Sequence, residues 1–371
     1  MSADWSGPMR RALELAERGR YGASPNPMVG AVVVAAGGAV VGSGAHLRCG
    51  GPHAEVAALE EAGSAAAGAT LVVTLEPCVA MPGKRTPPCV DAVLAAGIAR
   101  VVVGARDPNP LVDGRGVEAL RAAGVEVVEG VEDEACRALN RRFFHFVATG
   151  RPFVTLKMAM TLDGKLAARG GRSRWITSEA SRREGYALRE EADGLLVGVR
   201  TVLADDPRLN RHLGLNPSPH LMRVVLDSTL RTPPTAVLFA SEPQDVVLFC
   251  REDAPADRRR ELEHVGATVV AVGDDGHGRC DLRQALRWLG GRGVTSLLVE
   301  GGGEVHWSFL VEGLAQRVHA FVAPLVLGGH EATPAVAGPG FASPQDALRL
   351  RFVEVRRLAE DLVVTAEVVG V

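Results

Sequence analysis

Lysine is nearly absent from this 371-residue chain: of 41 basic residues only Lys84, Lys157 and Lys165 are lysines, and the rest are arginines. Where arginine has replaced lysine wherever either cation serves, the survivors mark positions that need a compact ammonium. An excess of charge is missing too. The formal net charge is −3, which gives no electrostatic reason to expect nucleic acid or an anionic membrane as partner. No apolar run reaches the roughly 20 residues that cross a bilayer. The N-terminal MSADWSGPMRRALELAERG reads as an amphipathic helix and lacks the apolar core and small-residue cleavage site of a signal peptide. A cytoplasmic protein is expected, where disulfides are uncommon and paired cysteines more often mean metal or catalysis. The two halves show no repeat.

What is present is a hydrophobic share of 47% and a charged share of 23%, the balance of a soluble globular protein. The length predicts two domains. Helices are expected over 1–20, 53–62, 90–96, 117–123 and 131–147, and strands over 29–36, 70–75, 100–105 and 125–128. Periodicity breaks at 148–152, which reads as a linker between domains 1–148 and 152–371. A second alternating series comes next. Its strands are predicted at 153–159, 194–199, 222–227, 245–250, 268–272 and 296–300, and its helices at 178–192, 255–265, 281–289 and 305–313. The stretches 317–327 and 350–369 read as strand-rich, and 207–219 and 331–345 as loops. Alternating strands and helices imply layered α/β architecture in both domains.

Two cysteines, Cys78 and Cys89, each come directly after a proline in TLEPCVAMPGKRTPPC. Cys78 is expected just beyond a strand's carboxyl end, where open α/β sheets bind ligands. Cys89 opens a helix whose amino end favours a thiolate. Upstream, GGPHAEV places His53 and Glu55 in the first turn of another helix. One His and two Cys make three protein ligands and leave the fourth position open, the arrangement of a catalytic zinc that activates water. Glu55 is then the proton shuttle. The pattern matches the H-x-E and P-C signature of zinc deaminases, with the second cysteine eleven residues after the first. A buried histidine with two inert thiols is the competing reading. The remaining cysteines suggest no site, although Cys49 lies four residues before His53.

SPNPMVGAVVV, PHAEVAAL, TLEPC, RTPPC and RDPNP closely resemble the deaminase half of the bifunctional deaminase/reductase family of riboflavin biosynthesis. The resemblance implies a cytidine-deaminase-like three-layer α/β/α domain with Zn2+ on His53, Cys78 and Cys89 and with Glu55 as general acid and base. It implies substrate contacts from Asn26, His46 and Lys84. The family's substrate is a diaminopyrimidinone carrying a ribosylamino 5′-phosphate, which loses an exocyclic amine as ammonia. One departure stands out. Between the cysteines this chain is two residues longer than is usual and lacks the customary histidine.

In the second half LLVEGGGEVHWSF runs strand, glycine turn, helix. Such a turn lets backbone N–H groups approach an anion at a helix amino end, but it is not G-x-G-x-x-G. With LKMAMTLDGKLA, RWITSEA and LREEADGLLVGVRTVLADDPRLNR it resembles the reductase half of the same family, which has a dihydrofolate-reductase-like α/β fold and uses NADPH to reduce the ribosyl group to ribityl. The resemblance implies that Lys157, Ser173, Thr177, Arg189, Leu209, Arg211 and Glu300 hold the ribose phosphate. It implies NADPH contacts from Ala159, Trp175, Thr201, Asp205, Gly302, Gly303, Glu304, Val305, His306, Trp307 and Ser308. The arginine in LNRH stands one place earlier than in the family's usual LTVR. Lys157 and Asp205 are candidate orienting or proton-donating groups. All three lysines fall in these motif windows. The partner expected is a phosphorylated pyrimidine, and the family suggests a homo-oligomer. Two other readings stay open: the same fold acting on a related pyrimidine or purine, and a reductase whose zinc domain is only structural.

Overall fold

A computed structural model describes residues 4–80, 87–218 and 220–370. The chain forms two compact units, Met1–Gly150 and Arg151–Val371. In the first, α1 (Ser6–Ala16) precedes β1 (Gly30–Val34) and β2 (Val40–Ala45). Then come α2 (Ala54–Ala62), β3 (Thr70–Leu75), α3 (Cys89–Ala95), β4 (Arg100–Ala105), α4 (Arg115–Ala122), β5 (Glu126–Glu129), α5 (Asp133–Leu139) and α6 (Arg141–Thr149). The sheet order is β2-β1-β3-β4-β5. β1 is antiparallel to both neighbours, and β3, β4 and β5 are parallel. β1 and β3 are buried along their whole length, so they read as unbroken apolar runs rather than alternating ones.

Strand β2 was not among the predicted elements, and Gly42 and Gly44 are poor strand formers. The structure gives them another purpose. A Cβ on Gly44 would meet the Ala54 carbonyl oxygen at 2.2 Å, and one on Gly42 the Ala58 carbonyl oxygen at 2.2 Å. Bare backbone at both positions lets α2 lie flat on the strand, which seats His53 and Glu55 against the sheet. The helix expected over 131–147 is two helices that meet at Asn140. The Asn140 amide accepts from Met28 N at 2.8 Å and donates to Met28 O at 2.8 Å, an anchor that a continuous amphipathic pattern does not reveal. α6 runs through Thr149 and ends at Gly150, whose φ of 66° suits a C-terminal cap.

The second unit contains β6 (Phe153–Thr161), β7 (Lys165–Ala167), α7 (Glu179–Glu191), β8 (Gly194–Gly198), α8 (Val199–Asp205), β9 (Met222–Leu226), β10 (Val246–Arg251), α9 (Ala256–His264), β11 (Thr268–Val272), α10 (Leu282–Gly291), β12 (Ser296–Val299), α11 (Gly303–Val311), β13 (Arg317–Ala323), β14 (Thr333–Pro334), β15 (Leu350–Leu358) and β16 (Asp361–Val368). Nine strands form one sheet, ordered β11-β10-β9-β8-β12-β6-β13-β16-β15. The first seven in that order are mutually parallel, and the β16–β15 hairpin closes one edge antiparallel. The short helix α8 and the β7–β14 pair fall in stretches where no element was expected. Among the described residues no helix is long and apolar enough to cross a membrane.

One buried acid sets the loop beyond α8. Glu190 accepts His212 N at 3.1 Å and Leu213 N at 2.7 Å on one oxygen, and Leu215 N at 3.1 Å and Asn216 N at 3.0 Å on the other. Burial acts to raise its carboxyl, but the four backbone donors together hold it below the ordinary 4.5. An ionised Glu190 therefore stabilises the fold above that value, and the contribution is lost as pH falls through the lowered folded value. Glu190→Gln turns amide hydrogens towards backbone donors and is expected to cost about 1–3 kcal/mol at neutral pH. Denaturant titrations at pH 7 and pH 3 check this: the gap between variant and wild type should narrow at the acidic pH.

Candidate active sites

In the first unit three donor atoms converge. His53 is the N-cap of α2, Cys78 lies just past β3, and Cys89 is the first residue of α3 behind Pro88. The His53 Nδ1 lies 3.1 Å from Cys89 Sγ and 3.6 Å from Cys78 Sγ. All three ligand atoms are within 4.8 Å of one another. Zinc bonds of about 2.3 Å to sulfur and 2.0–2.1 Å to nitrogen at tetrahedral angles would separate such donors by about 3.6 Å, so the residues fit zinc. Cys89 N also donates to Cys78 Sγ at 3.4 Å, which brings a helix amino end to bear on that sulfur. The neighbouring Cys78 and burial push the Cys89 thiol up, so loading the site must release protons. Cys49 is exposed and does not join the cluster.

Glu55 is buried beside these ligands. Burial, with the Cys78 sulfur adding to it, pushes its carboxyl up. His46 and Asn26 stand next to His53. The His46 ring packs edge-on to His53 at 5.3 Å between centroids. Its Nδ1 is 2.9 Å from the Pro52 carbonyl oxygen, which can only accept, so Nδ1 carries the hydrogen. Its Nε2 then accepts from the Asn26 amide nitrogen at 3.1 Å. Burial lowers the His46 pKa and favours this neutral form. The arrangement leaves Asn26 Oδ1 as an acceptor for a ligand N–H. Lys84, also assigned to this site from the sequence, lies outside the described residues.

Glu76, in the TLEPC motif, is an acid that the sequence did not single out. It accepts Asp107 N at 3.3 Å and Gly114 N at 2.9 Å on one oxygen, and Gly116 N at 2.8 Å and Val117 N at 3.2 Å on the other. It pins the RDPNP loop and the start of α4 next to Cys78. The signal was available: a carboxylate at a strand end beside a metal ligand is either chemistry or an anchor. In the same loop, burial pushes Asp107 up to about 6, against a hydrogen bond from Asn109 N.

In the second unit the carboxyl ends of the parallel strands open into a groove of about 1410 Å³. Lys157 stands on β6 beside a bidentate pair: Arg189 Nε to Glu300 Oε1 is 2.7 Å and Arg189 Nη2 to Glu300 Oε2 is 2.6 Å. Burial pulls the Lys157 ammonium down, Glu300 opposes that, and Arg189 adds to the lowering. Burial alone would raise Glu300, but Arg189 and then Lys157 hold it down as a carboxylate. Ser173 Oγ is 3.5 Å from Asp205 Oδ1. Trp175 is 63% exposed, with the guanidinium of Arg182 4.5 Å and that of Arg174 5.7 Å from its ring centre. Gly302, at φ 79°, is the N-cap of α11, and a Cβ on Gly301 would come within 3.0 Å of Thr201 Oγ1. Helix N–H groups and glycine backbone at this turn fit a dinucleotide diphosphate.

The groove brings together Lys157, Ala159, Ser173, Trp175, Thr177, Arg189, Thr201, Asp205, Leu209, Glu300, Gly302, Gly303, Glu304, Val305, His306 and Ser308 from the expected set. It does not bring in Arg211 or Trp307. The Arg211 guanidinium is spent on carbonyl oxygens of Ala192, Ser218 and His220 at 2.7, 3.1 and 2.9 Å. The next residue, His212, lines the groove instead, 4.4 Å from the Tyr186 ring. Trp307 packs under Gly338, where an added Cβ would meet its ring at 2.4 Å, and against Phe341. The groove also takes in Ser228, Thr229 and Arg231, which the sequence reading missed. Looking just past every parallel strand, not only β12, would have found them.

These features define a zinc-deaminase-type unit joined to a nucleotide-reductase-type unit. Residues 5–105 match the cytidine and deoxycytidylate deaminase zinc-binding region, and residues 152–364 match the RibD C-terminal domain. "Riboflavin biosynthesis protein RibD" of Aquifex aeolicus is 44% identical over 358 residues, 96% of each chain. The Escherichia coli protein of that name is 38% identical over 365 residues, 95% of this chain and 96% of its own. A solved Acinetobacter baumannii RibD superposes with a TM-score of 0.87 at 36% identity, covering 98% of this chain and 99% of its own. The Thermotoga maritima diaminohydroxyphosphoribosylaminopyrimidine deaminase/5-amino-6-(5-phosphoribosylamino)uracil reductase gives 0.82 at 35%, covering 98% of both. The chain belongs to the RibD family of riboflavin biosynthesis.

The donor set predicts about one zinc per chain, held in the first unit. Metal analysis of purified protein should find it in the wild type and in Glu55→Gln. Cys89→Ser should lose at least about tenfold in zinc affinity, read by competition with a chromogenic chelator.

Proposed function

We propose that the chain is a bifunctional enzyme of riboflavin biosynthesis, in which unit 1 deaminates 2,5-diamino-6-ribosylamino-4(3H)-pyrimidinone 5′-phosphate and unit 2 then reduces the ribosyl group to ribityl with NADPH. Residues 1–148 are the deaminase domain and 152–371 the reductase domain. The observation that carries the reading is one chain holding an open three-donor metal site with a buried carboxyl beside it, and also a strand-end groove containing a buried lysine.

Deamination exchanges a ring C–NH2 for C=O, so protons must pass from water to the leaving nitrogen. Zinc, when bound, supplies the Lewis acidity that makes water nucleophilic at neutral pH. Glu55 is placed to hold and deliver the proton, since burial favours its protonated form. Asn26 Oδ1 accepts from a pyrimidine N–H, while His46 fixes the Asn26 amide and is not itself charged.

In unit 2 the ribosyl C1, opened to an imine or aldehyde, takes a hydride and a proton. NADPH supplies the hydride. Lys157 and Asp205 orient the sugar or give the proton. Glu300 binds Arg189 and faces Lys157, so it positions these cations and accepts from sugar hydroxyls. The phosphate falls to Arg189's remaining N–H groups, to Ser173 and Thr177, and to His212 in the place first expected of Arg211. The turn at Gly302–Gly303 cradles the diphosphate.

The protein works in the cytoplasm, which suits six cysteines that are all free. It self-associates, a reading supported by edge strand β15, where Phe352 is 69% and Val355 57% exposed. Light scattering should give a mass above one chain.

The experiment is to supply the diaminopyrimidinone ribosylamino phosphate with and without NADPH and to track ammonia and NADPH together. Ammonia is expected without cofactor, and then NADPH consumption in equal amount. Glu55→Gln should keep its zinc and release ammonia about 10²–10⁴-fold more slowly. Unchanged ammonia release by that variant would sink the assignment of Glu55. No ammonia from the wild type, with NADPH consumed only when the deaminated compound is given, would mean a silenced or redirected first site.

A further inference from the structure

The last hairpin of the second unit reaches the groove from the far end of the sequence. β16 runs antiparallel to β13. Its first residue, Asp361, therefore lies level with the carboxyl ends of the parallel strands, where the groove opens. The tight turn before it, with Ala359 at φ 53°, pairs Leu358 with Asp361. Asp361 is 1% exposed and takes no part in the chemistry above.

Asp361 Oδ2 gathers donors from the start of α7, 183 residues earlier. Ser178 N donates at 2.8 Å, Ser178 Oγ at 2.8 Å and Ser181 Oγ at 2.6 Å. The first of these N–H groups belongs to the peptide that joins Thr177 to Ser178. The carbonyl of that same peptide accepts from Arg182 Nη1 at 2.8 Å, and the Arg182 guanidinium lies 4.5 Å from the Trp175 ring centre. The peptide is thus held at both of its polar groups. Thr177 is buried and lines the groove. Its hydroxyl has no hydrogen-bond partner among the described residues, so it is free for a ligand. Ser181 lines the groove as well, but its hydroxyl hydrogen is spent on Asp361, and it can offer a ligand only lone pairs. A side chain carried on a fixed peptide loses little freedom on binding and holds its ligand more tightly for that reason.

We infer that Asp361 is a positioning residue of unit 2: by clamping the Thr177–Ser178 peptide it sets the Thr177 hydroxyl for the 5′-phosphate of the substrate. The inference rests on the reading of unit 2 as the reductase, with Thr177 serving the phosphate. Asp361 acts only through Thr177. Its Oδ1 is buried without a hydrogen-bond partner, so an amide nitrogen in that place meets no opposing donor. Asp361→Asn can therefore keep the three bonds on its remaining oxygen, weakened by the loss of charge. Asp361→Ala loses them all. The hairpin also grips α7 at a second point, where Arg356 on β15 pairs with Glu184. That pair lies outside the clamp and serves as the comparison.

Calorimetric titration of the purified full-length protein tests this without turnover. The probes are the deaminated compound, 5-amino-6-(5-phosphoribosylamino)uracil, and the same compound without its phosphate. Asp361→Ala should weaken the phosphorylated compound by about tenfold and leave the other unchanged. Asp361→Asn keeps the shape of the clamp and guards against a variant that fails to fold; it should weaken the phosphorylated compound by about two- to fivefold. Arg356→Ala should bind as the wild type does, and ammonia release by unit 1 should be the same in every variant. A merely structural role lowers the number of competent sites per chain and leaves the dissociation constant alone. That result in either Asp361 variant overturns the inference, as does equal weakening of both compounds or an equal loss in Arg356→Ala. A wild type that binds the two compounds alike defeats the phosphate reading, and one that binds neither defeats the reductase reading; the inference falls with either.

Discussion

Carboxylates buried against backbone N–H groups hold the loops on which both sites are built. A loop over a strand end leaves main-chain donors that must find partners, and an ionised carboxylate can take several at once through strong charge-assisted bonds. Glu76 ties the RDPNP loop and the start of α4 to the segment that carries Cys78. Glu190 gathers four donors from the loop that presents His212. Asp361 holds the peptide that places Thr177. None of these acids meets a substrate in the mechanism, yet each decides where a functional side chain stands.

Close backbone approach is the second constraint. Metal ligands from α2, α3 and the loop after β3 meet only if the helices come down onto the sheet, and Gly42 and Gly44 permit that for α2. Gly116 does the same beside Glu76, since a Cβ there would meet the Pro77 carbonyl oxygen at 2.1 Å. In unit 2 a Cβ on Gly303 would meet the Pro334 carbonyl oxygen at 2.4 Å, so the glycine cradle is shaped by packing as well as by its ligand.

The two sites solve opposite electrostatic problems. The first gathers sulfur, imidazole and a buried carboxyl around a place for a cation. The second stores its charges in advance as Lys157, Glu300 and Arg189, where the carboxylate between two cations keeps all three ionisable in a partly dry groove. A metal thus completes one unit, and an anionic substrate and cofactor complete the other.

Much of this was legible in the chain itself. Proline before each cysteine, H-x-E at a helix start and strand runs at 70–75 and 100–105 were local patterns, and local patterns survive folding when one face or end of an element carries them. The scarcity of lysine marked Lys157, which stands in the groove, although Lys165, on β7, does not line it. Other features needed long-range contacts. β2 was not predicted, because Gly42 and Gly44 answer to the packing of α2 against them and not to strand propensity. Asn140 splits a helix for the sake of Met28, 112 residues away. His212, and not the expected Arg211, lines the groove because four backbone bonds to Glu190 set the loop's path. Residue types alone set which side chains could bind metal, shuttle a proton or pair with phosphate, since those are properties of the groups themselves. Which of them share a site was settled by folding, because that depends on where buried backbone donors and close packing let each loop run.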